Sequence, residues 1–405
     1  MARTKKSLDN VDISNLLKDL NKEFSTTETL PRVKSDLLSL DIVLGGQGIP
    51  LGKTIEIASA SGVGKSTLLL HVSKNLCRQG YRVVWLDTEY ATDDELLTKM
   101  GLMEYKDDLF NIFQVGTFES VEKILDTLIP TGQVQFVVLD SLANLTSEAN
   151  LASTVYQKDV AKSVENKQVA GDARSQTLFM KKYKAMCAKN NVTMFFVNQL
   201  RQFIPTGYGQ VAKEVHSGAK AVKYNMDCII DLISAGKIKG KKTTINGEEE
   251  IDIGSNVFFY IKEKSRICQG GVKVPGAIMF GKGFSNISTV KILMELKKVE
   301  YNGKMVKMLS QSGQTYTLTF GGQQITATYQ TGLREAIRNH YDEIIAEFGA
   351  EDFNVVKDDF DQATSVDLQE DPTADENFDR VNDVFNEESG IGNEEGSEIS
   401  NEEEE

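Results

Sequence analysis

Four cysteines, three histidines and no apolar run near the ~20 residues that a membrane-spanning helix needs set the outer limits on this 405-residue chain. Cys77, Cys187, Cys228 and Cys268 are widely spaced and form no CxxC pair. That pattern argues against a disulfide scaffold and a zinc site, and the cysteines read as buried thiols in a reducing compartment. His71, His216 and His340 are too scattered for a metal cluster or a histidine-based triad. The first residues, MARTKKSLDN, have no apolar segment behind their basic side chains, so no secretory leader is indicated and a soluble, cytoplasmic protein is expected. The length exceeds one typical domain of roughly 100 to 200 residues, and one main domain with appendages fits best.

The net charge of −14 counts against a polyanionic partner only until its position is read. Residues 371–405 hold fourteen acidic residues and one basic residue, Arg380, so this stretch alone carries −13 and the rest of the chain is close to neutral. Rich in Glu, Asp, Asn, Ser and Gly, the end of the chain cannot bury enough apolar surface to offset its ordering entropy. It reads as a disordered acidic tail, either a simple solubilising extension or a competitor for cationic surfaces.

Ahead of the tail, short β-type runs alternate with helical stretches, the pattern of a parallel sheet covered by helices on both faces. Strands are expected near residues 53–58, 82–87, 134–140, 192–198, 227–233 and 256–262, with helices near 65–79, 119–129 and 173–190. Residues 1–28 look like a separate helical lead-in, and a helix-rich segment near 286–349 closes the folded part.

After the first of these strands comes Ser59-Ala60-Ser61-Gly62-Val63-Gly64-Lys65-Ser66-Thr67, which opens the helix LLLHVSKNL. Glycines allow backbone N–H groups to wrap a phosphate, and the helix N-terminus adds partial positive charge. Lys65 can reach the β- and γ-phosphates of ATP, and Ser66 can ligate Mg²⁺. The usual pattern begins with Gly where this chain has Ser59, a residue less tolerant of a tight turn.

Two further apolar strands end in carboxylates: Glu89 follows VVWLD 24 residues past Lys65, and Asp140 closes VQFVVLD 75 residues past it. In open α/β sheets ligands bind at this carboxyl edge. Asp140 therefore reads as the holder of Mg²⁺ and Glu89 as the base for the attacking water, with Asp87 a structural neighbour. Glu89 also fits a solvated loop carboxylate, because acidic turns after strands are common. A fourth strand ends in Asn198-Gln199, whose amides can sense a γ-phosphate or simply cap the strand.

The order and spacing of VKSDLLSLDIVLGGQGIPLGKTIEIAS, LDTEYATDD, VVLDSLANL and FFVNQLR resemble the RecA family of recombinases, including its phage UvsX-type members, over roughly residues 30–285. The resemblance implies an α/β, RecA-like phosphate-loop ATPase core with two DNA-binding loops over residues 29–285. It further implies a helical oligomerisation segment over 1–28 that docks on the next subunit, a small C-terminal segment over 286–350, and a largely disordered tail over 351–405. By this similarity Glu89 is the catalytic glutamate, Asp93 lies where adenine is contacted, and Gln199 couples ATP to a DNA loop. Lys262 and Lys264 match a pair that reaches the neighbouring subunit's ATP, although by composition alone they read as a solvated strand end.

Two long segments, about 146–172 and 201–218, correspond to the family's DNA-binding loops. The second mixes Arg201 and Lys213 with Phe203, Ile204 and Tyr208, cations for phosphates and side chains that stack on or wedge between bases. The same composition also fits a mobile surface loop. Arg174, at the start of the following helix, adds a phosphate contact. The expected function is an ATP- and Mg²⁺-dependent recombinase that assembles as a helical filament on single-stranded DNA and pairs it with duplex. Its implied partners include a single-strand binding protein and a loading mediator. A hexameric RecA-fold helicase and a non-catalytic regulator are the alternatives, and a phage-encoded chain would work in the host cytoplasm.

Overall fold

Strands that are apolar along their length are buried on both faces, and runs such as VVWLD and FVVLD at the centre of the main sheet are of this kind. The structure, a computed structural model, describes residues 14–15, 17–18, 31–151, 161–203, 213–216, 220–244, 247–262 and 265–348. Its ten-stranded sheet comprises β1 (Thr54–Ser59), β2 (Val83–Asp87), β3 (Phe110–Gln114), β4 (Phe136–Asp140), β5 (Thr193–Phe203), β6 (Lys213–His216), β7 (Cys228–Thr244), β8 (Gly247–Tyr260), β9 (Lys273–Met279) and β10 (Gly283–Phe284). The order across the sheet is β10-β9-β8-β7-β1-β5-β4-β2-β3, with β6 paired to β5 off this path. From β7 to β3 neighbouring strands run parallel, and from β7 to β10 they run antiparallel.

Period-two alternation divides the parallel strands between two cores. Val83, Trp85, Phe136 and Val138 point into a cluster with Leu68, Leu69, Val72 and Leu76 of helix α2 (Lys65–Arg78), while α1 (Leu38–Val43) adds Leu38, Leu40 and Ile42. Between them on the same strands, Val84, Leu86, Val137 and Leu139 enter a second cluster. It is covered by Phe118, Val121 and Leu125 of α4 (Phe118–Leu128) and by Phe179 and Tyr183 of α5 (Ala161–Asn190); α3 (Asp94–Met100) precedes them. This is an α/β core of the expected class, a mainly parallel sheet with helices on both faces.

Several expectations need correction. Helix α5 spans 30 residues and already includes Ala161, so the second half of the loop expected at 146–172 is helical, and Arg174 is an exposed residue inside α5 rather than at its start. Its first turns carry many Lys, Glu, Gln and Ala, good helix formers without an apolar stripe. The strand at 227–233 runs on to Thr244 and pairs with β8 as a ribbon in which Glu250 faces Lys241 and Asp252 faces Lys239; Lys239 Nζ lies 2.7 Å from Asp252 Oδ1. Strands β3 and β9 had no counterpart in the sequence reading.

The segment expected to be helix-rich is mixed. After α6 (Lys220–Asn225) and α7 (Asn286–Leu296) come five short strands, β11 (Lys298–Tyr301), β12 (Lys304–Lys307), β13 (Leu309–Ser312), β14 (Thr315–Phe320) and β15 (Gln323–Thr328), then α8 (Tyr329–Asn339) and α9 (Tyr341–Ala346). All but β14 are short and largely exposed on one side, so they lack the apolar runs that marked the core strands. Leu318, Phe320, Leu333 and Ile344 join the core cluster of α2, and the Tyr341 hydroxyl donates to Asp41 Oδ2 at 3.2 Å, tying this lobe to α1. Apart from residues 14–15 and 17–18, which are helical, the lead-in over 1–28 lies outside the described residues, as do Ile204, Tyr208, Lys264 and the tail.

Candidate nucleotide-binding site

The registers of the parallel strands gather their carboxyl ends in two pairs, offset by two residues. Ser59 of β1 pairs with Gln199 of β5, and Asp87 of β2 pairs with Asp140 of β4. The glycine-rich loop leaves β1 at this edge and enters α2. Gly64 has φ 110°, a backbone conformation that favours glycine, and a Cβ there would lie 2.5 Å from Ile278 Cδ1, which would have to move aside. Gly62 also has positive φ, but the space where its Cβ would stand is open. Ala60, Ser61 and Gly62 are exposed, Val63, Gly64, Ser66 and Thr67 are half-buried, and the loop leads into the start of a helix, whose first N–H groups have no partner within the helix.

Lys65 is buried and folded back on its own loop. Its Nζ donates to Ser59 Oγ at 3.0 Å, Ala60 O at 3.0 Å and Ser59 O at 3.3 Å. Burial lowers its pKa, while the charges of Asp140 and Glu89 act to raise it. Ser59 is the last residue of β1 and has no positive φ, so the departure from glycine costs no backbone strain here and supplies a hydroxyl to Lys65.

Asp140 is 5% exposed, and its Oδ1 has no hydrogen-bond partner among the described residues. Burial pushes its carboxyl up to about 6, helped by the charges of Glu89 and Asp87 and opposed by a hydrogen bond with Ser66 and by Lys65. A buried carboxylate oxygen left without a partner beside a serine hydroxyl suits a hard, oxygen-seeking cation, so the donor set fits Mg²⁺.

Glu89 is held from two sides. Its backbone N–H donates to Asp87 Oδ1 at 3.1 Å, and its Oε1 accepts from Ser141 Oγ at 3.2 Å. Thr88 and Ser141 lock the two strand ends together: Ser141 N donates to Thr88 Oγ1 at 2.7 Å, and Thr88 Oγ1 donates to Ser141 O at 2.8 Å. The Asp140–Ser141 peptide is cis. Asp87 accepts from Thr92 N at 3.0 Å as well, the structural role expected of it.

Sequence reasoning missed Thr88, Ser141 and Glu56. The last is a carboxylate buried inside β1, and its Oε1 accepts from Asn198 Nδ2 at 2.8 Å. A lone Glu in the apolar run KTIEIA was the available signal. Asp93 N-caps α3, accepting from Leu96 N at 2.8 Å. Lys262 is exposed and is not gathered into this group; it follows Tyr260 on a segment that runs back toward the opposite edge, where Ser265 bridges Cys228, level with Ile55.

One residue past Gln199, β5 continues into a hairpin stem. Leu200 faces His216, Arg201 faces Val215 and Phe203 faces Lys213, so the second expected loop has an antiparallel base on the same strand that ends the nucleotide site.

A phosphate loop, a helix N-terminus and two carboxylate-bearing strand ends at the carboxyl edge of a mainly parallel sheet define the RecA-like class of phosphate-loop nucleotide-binding protein. The RecA N-terminal domain family matches residues 12–285, and the chain belongs to the RecA family of recombinases. It is 28% identical over 305 residues to Protein RecA of Paracoccus denitrificans, covering 75% of this chain and 76% of that one. Protein RecA of Acholeplasma laidlawii is 29% identical over 300 residues, covering 71% and 83%, and that of Wolbachia sp. subsp. Drosophila simulans is 26% identical over 360 residues, covering 85% and 94%. Among the described residues no helix is long and apolar enough to cross a membrane.

Proposed function

We propose that this chain is an ATP-dependent DNA recombinase that assembles as a helical filament on single-stranded DNA and pairs it with homologous duplex. The observation that carries this reading is the strand register that sets Ser59 beside Gln199 and continues β5 directly into the antiparallel stem of 200–203 with 213–216, which supports reading a nucleotide loop and a DNA loop on neighbouring strands.

In this reading the loop over 59–67 cradles the ATP phosphates with its N–H groups, and Lys65 swings from Ser59 and Ala60 to the β- and γ-phosphates. Ser66 and Asp140 hold Mg²⁺, which when bound neutralises phosphate charge. Glu89, steered by Ser141, accepts a proton from the attacking water. Asp93 lies beside the adenine, and Gln199 reports the γ-phosphate to the hairpin one residue further on. Arg201, Phe203, Ile204, Tyr208 and Lys213 then grip phosphates and bases, with Arg174 of α5 as a further cation. Lys262 and Lys264 act on the nucleotide of the next subunit, in keeping with Lys262 leading away from its own chain's loop. The lead-in over 1–28 docks on that neighbour, and the acidic tail over 351–405 competes with DNA for the same cations.

The test measures ATP turnover with and without single-stranded DNA, then strand exchange between a circular single strand and a homologous linear duplex. DNA-stimulated turnover together with joint-molecule formation supports the proposal. Turnover coupled to duplex unwinding, with no pairing, would assign the chain to helicase chemistry.

A further inference from the structure

At the amino edge of the sheet, opposite the nucleotide loop, two of the four cysteines meet. Cys228 opens β7 fully buried, level with Ile55 of β1, and forms an isolated antiparallel bridge with Ser265. The Ser265 hydroxyl accepts from Ile267 N at 3.3 Å and Cys268 N at 3.0 Å, which folds the chain so that Cys268 Sγ stands 3.1 Å from the same hydroxyl. Cys228 thus lies across the Ser265 backbone bridge from the turn that carries Cys268. Both cysteines are therefore gathered around one serine.

Their surroundings make them unequal. Cys268 is half-exposed and Cys228 is enclosed. Arg32, whose Nη2 donates to Ile267 O at 2.9 Å, sets a positive charge near Cys268. The neighbouring Cys228, with Ser265 and Arg32, acts to lower the Cys268 thiol against its burial, while the enclosed Cys228 thiol shifts upward. Burial alone lifts Cys187 to about 12. Reactivity follows thiolate character and access, which singles out Cys268.

We propose that Cys228 and Cys268 form a peroxide-sensitive dithiol site that closes to a reversible intrachain disulfide. The Cys268 thiolate attacks one oxygen of a hydroperoxide, the O–O bond breaks, and Cys268 becomes a sulfenic acid as the other oxygen leaves and takes up a proton. The Cys228 sulfur then attacks the sulfenic sulfur, its proton leaves with the hydroxyl as water, and the S–S bond forms. Two thiols give up two electrons, and with hydrogen peroxide as oxidant the products are one disulfide and two waters. A dithiol reductant reverses the change by exchange. The bond pins the 265–268 turn, three residues past Lys262, to the strand beside β1. Through that link, and resting on the function proposed above, oxidation lowers DNA-stimulated ATP turnover by fixing the segment that addresses the neighbouring subunit.

The experiment treats the full chain with hydrogen peroxide, blocks remaining thiols, and maps peptides without reductant. The expected result is a cross-linked peptide pair joining Cys228 to Cys268, abolished by dithiothreitol, with Cys77 and Cys187 still alkylated after denaturation. Cys228→Ala should leave a Cys268 sulfenic acid that a dimedone probe traps, and Cys268→Ala should leave neither product. A Cys268 that stays alkylatable, or oxidation spread equally over all four cysteines, overturns the site, and the wild-type map decides this even if Cys228→Ala does not fold. A mapped disulfide with unchanged ATP turnover overturns the link to Lys262. If the reduced protein shows no DNA-stimulated turnover, the proposed function fails while the peptide map still reads the dithiol.

Discussion

The parallel half of the sheet and the antiparallel half with its C-terminal lobe are built by different rules. In the parallel half the central strands are largely apolar on both faces, helices cover them, and the chemistry is confined to one edge, where register sets Ser59 beside Gln199 and Asp87 beside Asp140, the second pair two residues short of the first. In the other half, β7 and β8 form a ribbon of facing lysines and acids, and β11 to β15 are short with exposed faces. Positions at the parallel edge are fixed by backbone pairing, so a single side chain carries a defined role. In the ribbon and lobe many side chains share a surface, and single changes should matter less.

That contrast is tested first where the largest effect is expected. Lys65→Ala removes the charge that reaches the phosphates and should lower kcat/KM for ATP by roughly 100-fold or more, and abolish nucleotide-dependent DNA binding. Steady-state phosphate release reads it, and unchanged DNA-stimulated turnover would remove the loop from the mechanism. Glu89→Gln keeps the shape and the Ser141 contact but loses basicity, so turnover should fall by ~10²- to 10⁴-fold while nucleotide affinity holds. Titration with a fluorescent ATP analogue beside the turnover assay separates the two.

A smaller loss is expected from the hairpin. Replacing Arg201 and Phe203 together by Ala should weaken single-stranded DNA binding by ~1 to 3 kcal/mol per unstacked base and flatten the salt dependence, with DNA-free nucleotide binding unchanged. Anisotropy titrations across a salt series measure both slopes, and parallel loss of nucleotide affinity would make the hairpin structural.

The smallest effect lies at the junction of core and lobe. Asp41 is fully buried, accepts from Ser35 N at 3.0 Å and from the Tyr341 hydroxyl, and burial pushes its carboxyl from 3.8 up to about 6. A raised carboxyl pKa favours the folded state only while the group is protonated, so this contribution is present below about 4 and lost as pH rises through about 6. Asp41→Asn should therefore gain stability relative to wild type across that window, by at most ~3 kcal/mol, with no relative gain below it. Denaturant melts at several pH values check the sign, and a constant difference would show that Asp41 does not titrate there.

How much could be read in advance follows the same division. Apolar runs such as VVWLD and FVVLD, each ending in an acid, announced the parallel strands other than β3 and their functional ends, and the 59–67 motif with its helix needed no tertiary context. The bracing of Glu89 by Ser141, and of Ser141 by Thr88, depends on two strand ends 53 residues apart being neighbours, which spacing does not reveal. Only the second half of the 161–190 helix was legible, because residues 161–172 carry no apolar stripe. The lobe's strands were hidden because residues such as KMVK and LSQS bury too little to leave a pattern. The cysteine pair was invisible for a similar reason, since Cys228 and Cys268 meet only through the Ser265 bridge.

The central claim is that nucleotide bound at the parallel edge makes the chain assemble on DNA, and negative-stain electron microscopy with single-stranded DNA tests it most directly. With a slowly hydrolysed ATP analogue and Mg²⁺ the account predicts extended helical filaments that are lost without nucleotide and absent for Lys65→Ala; closed rings, or filaments indifferent to nucleotide, would contradict it.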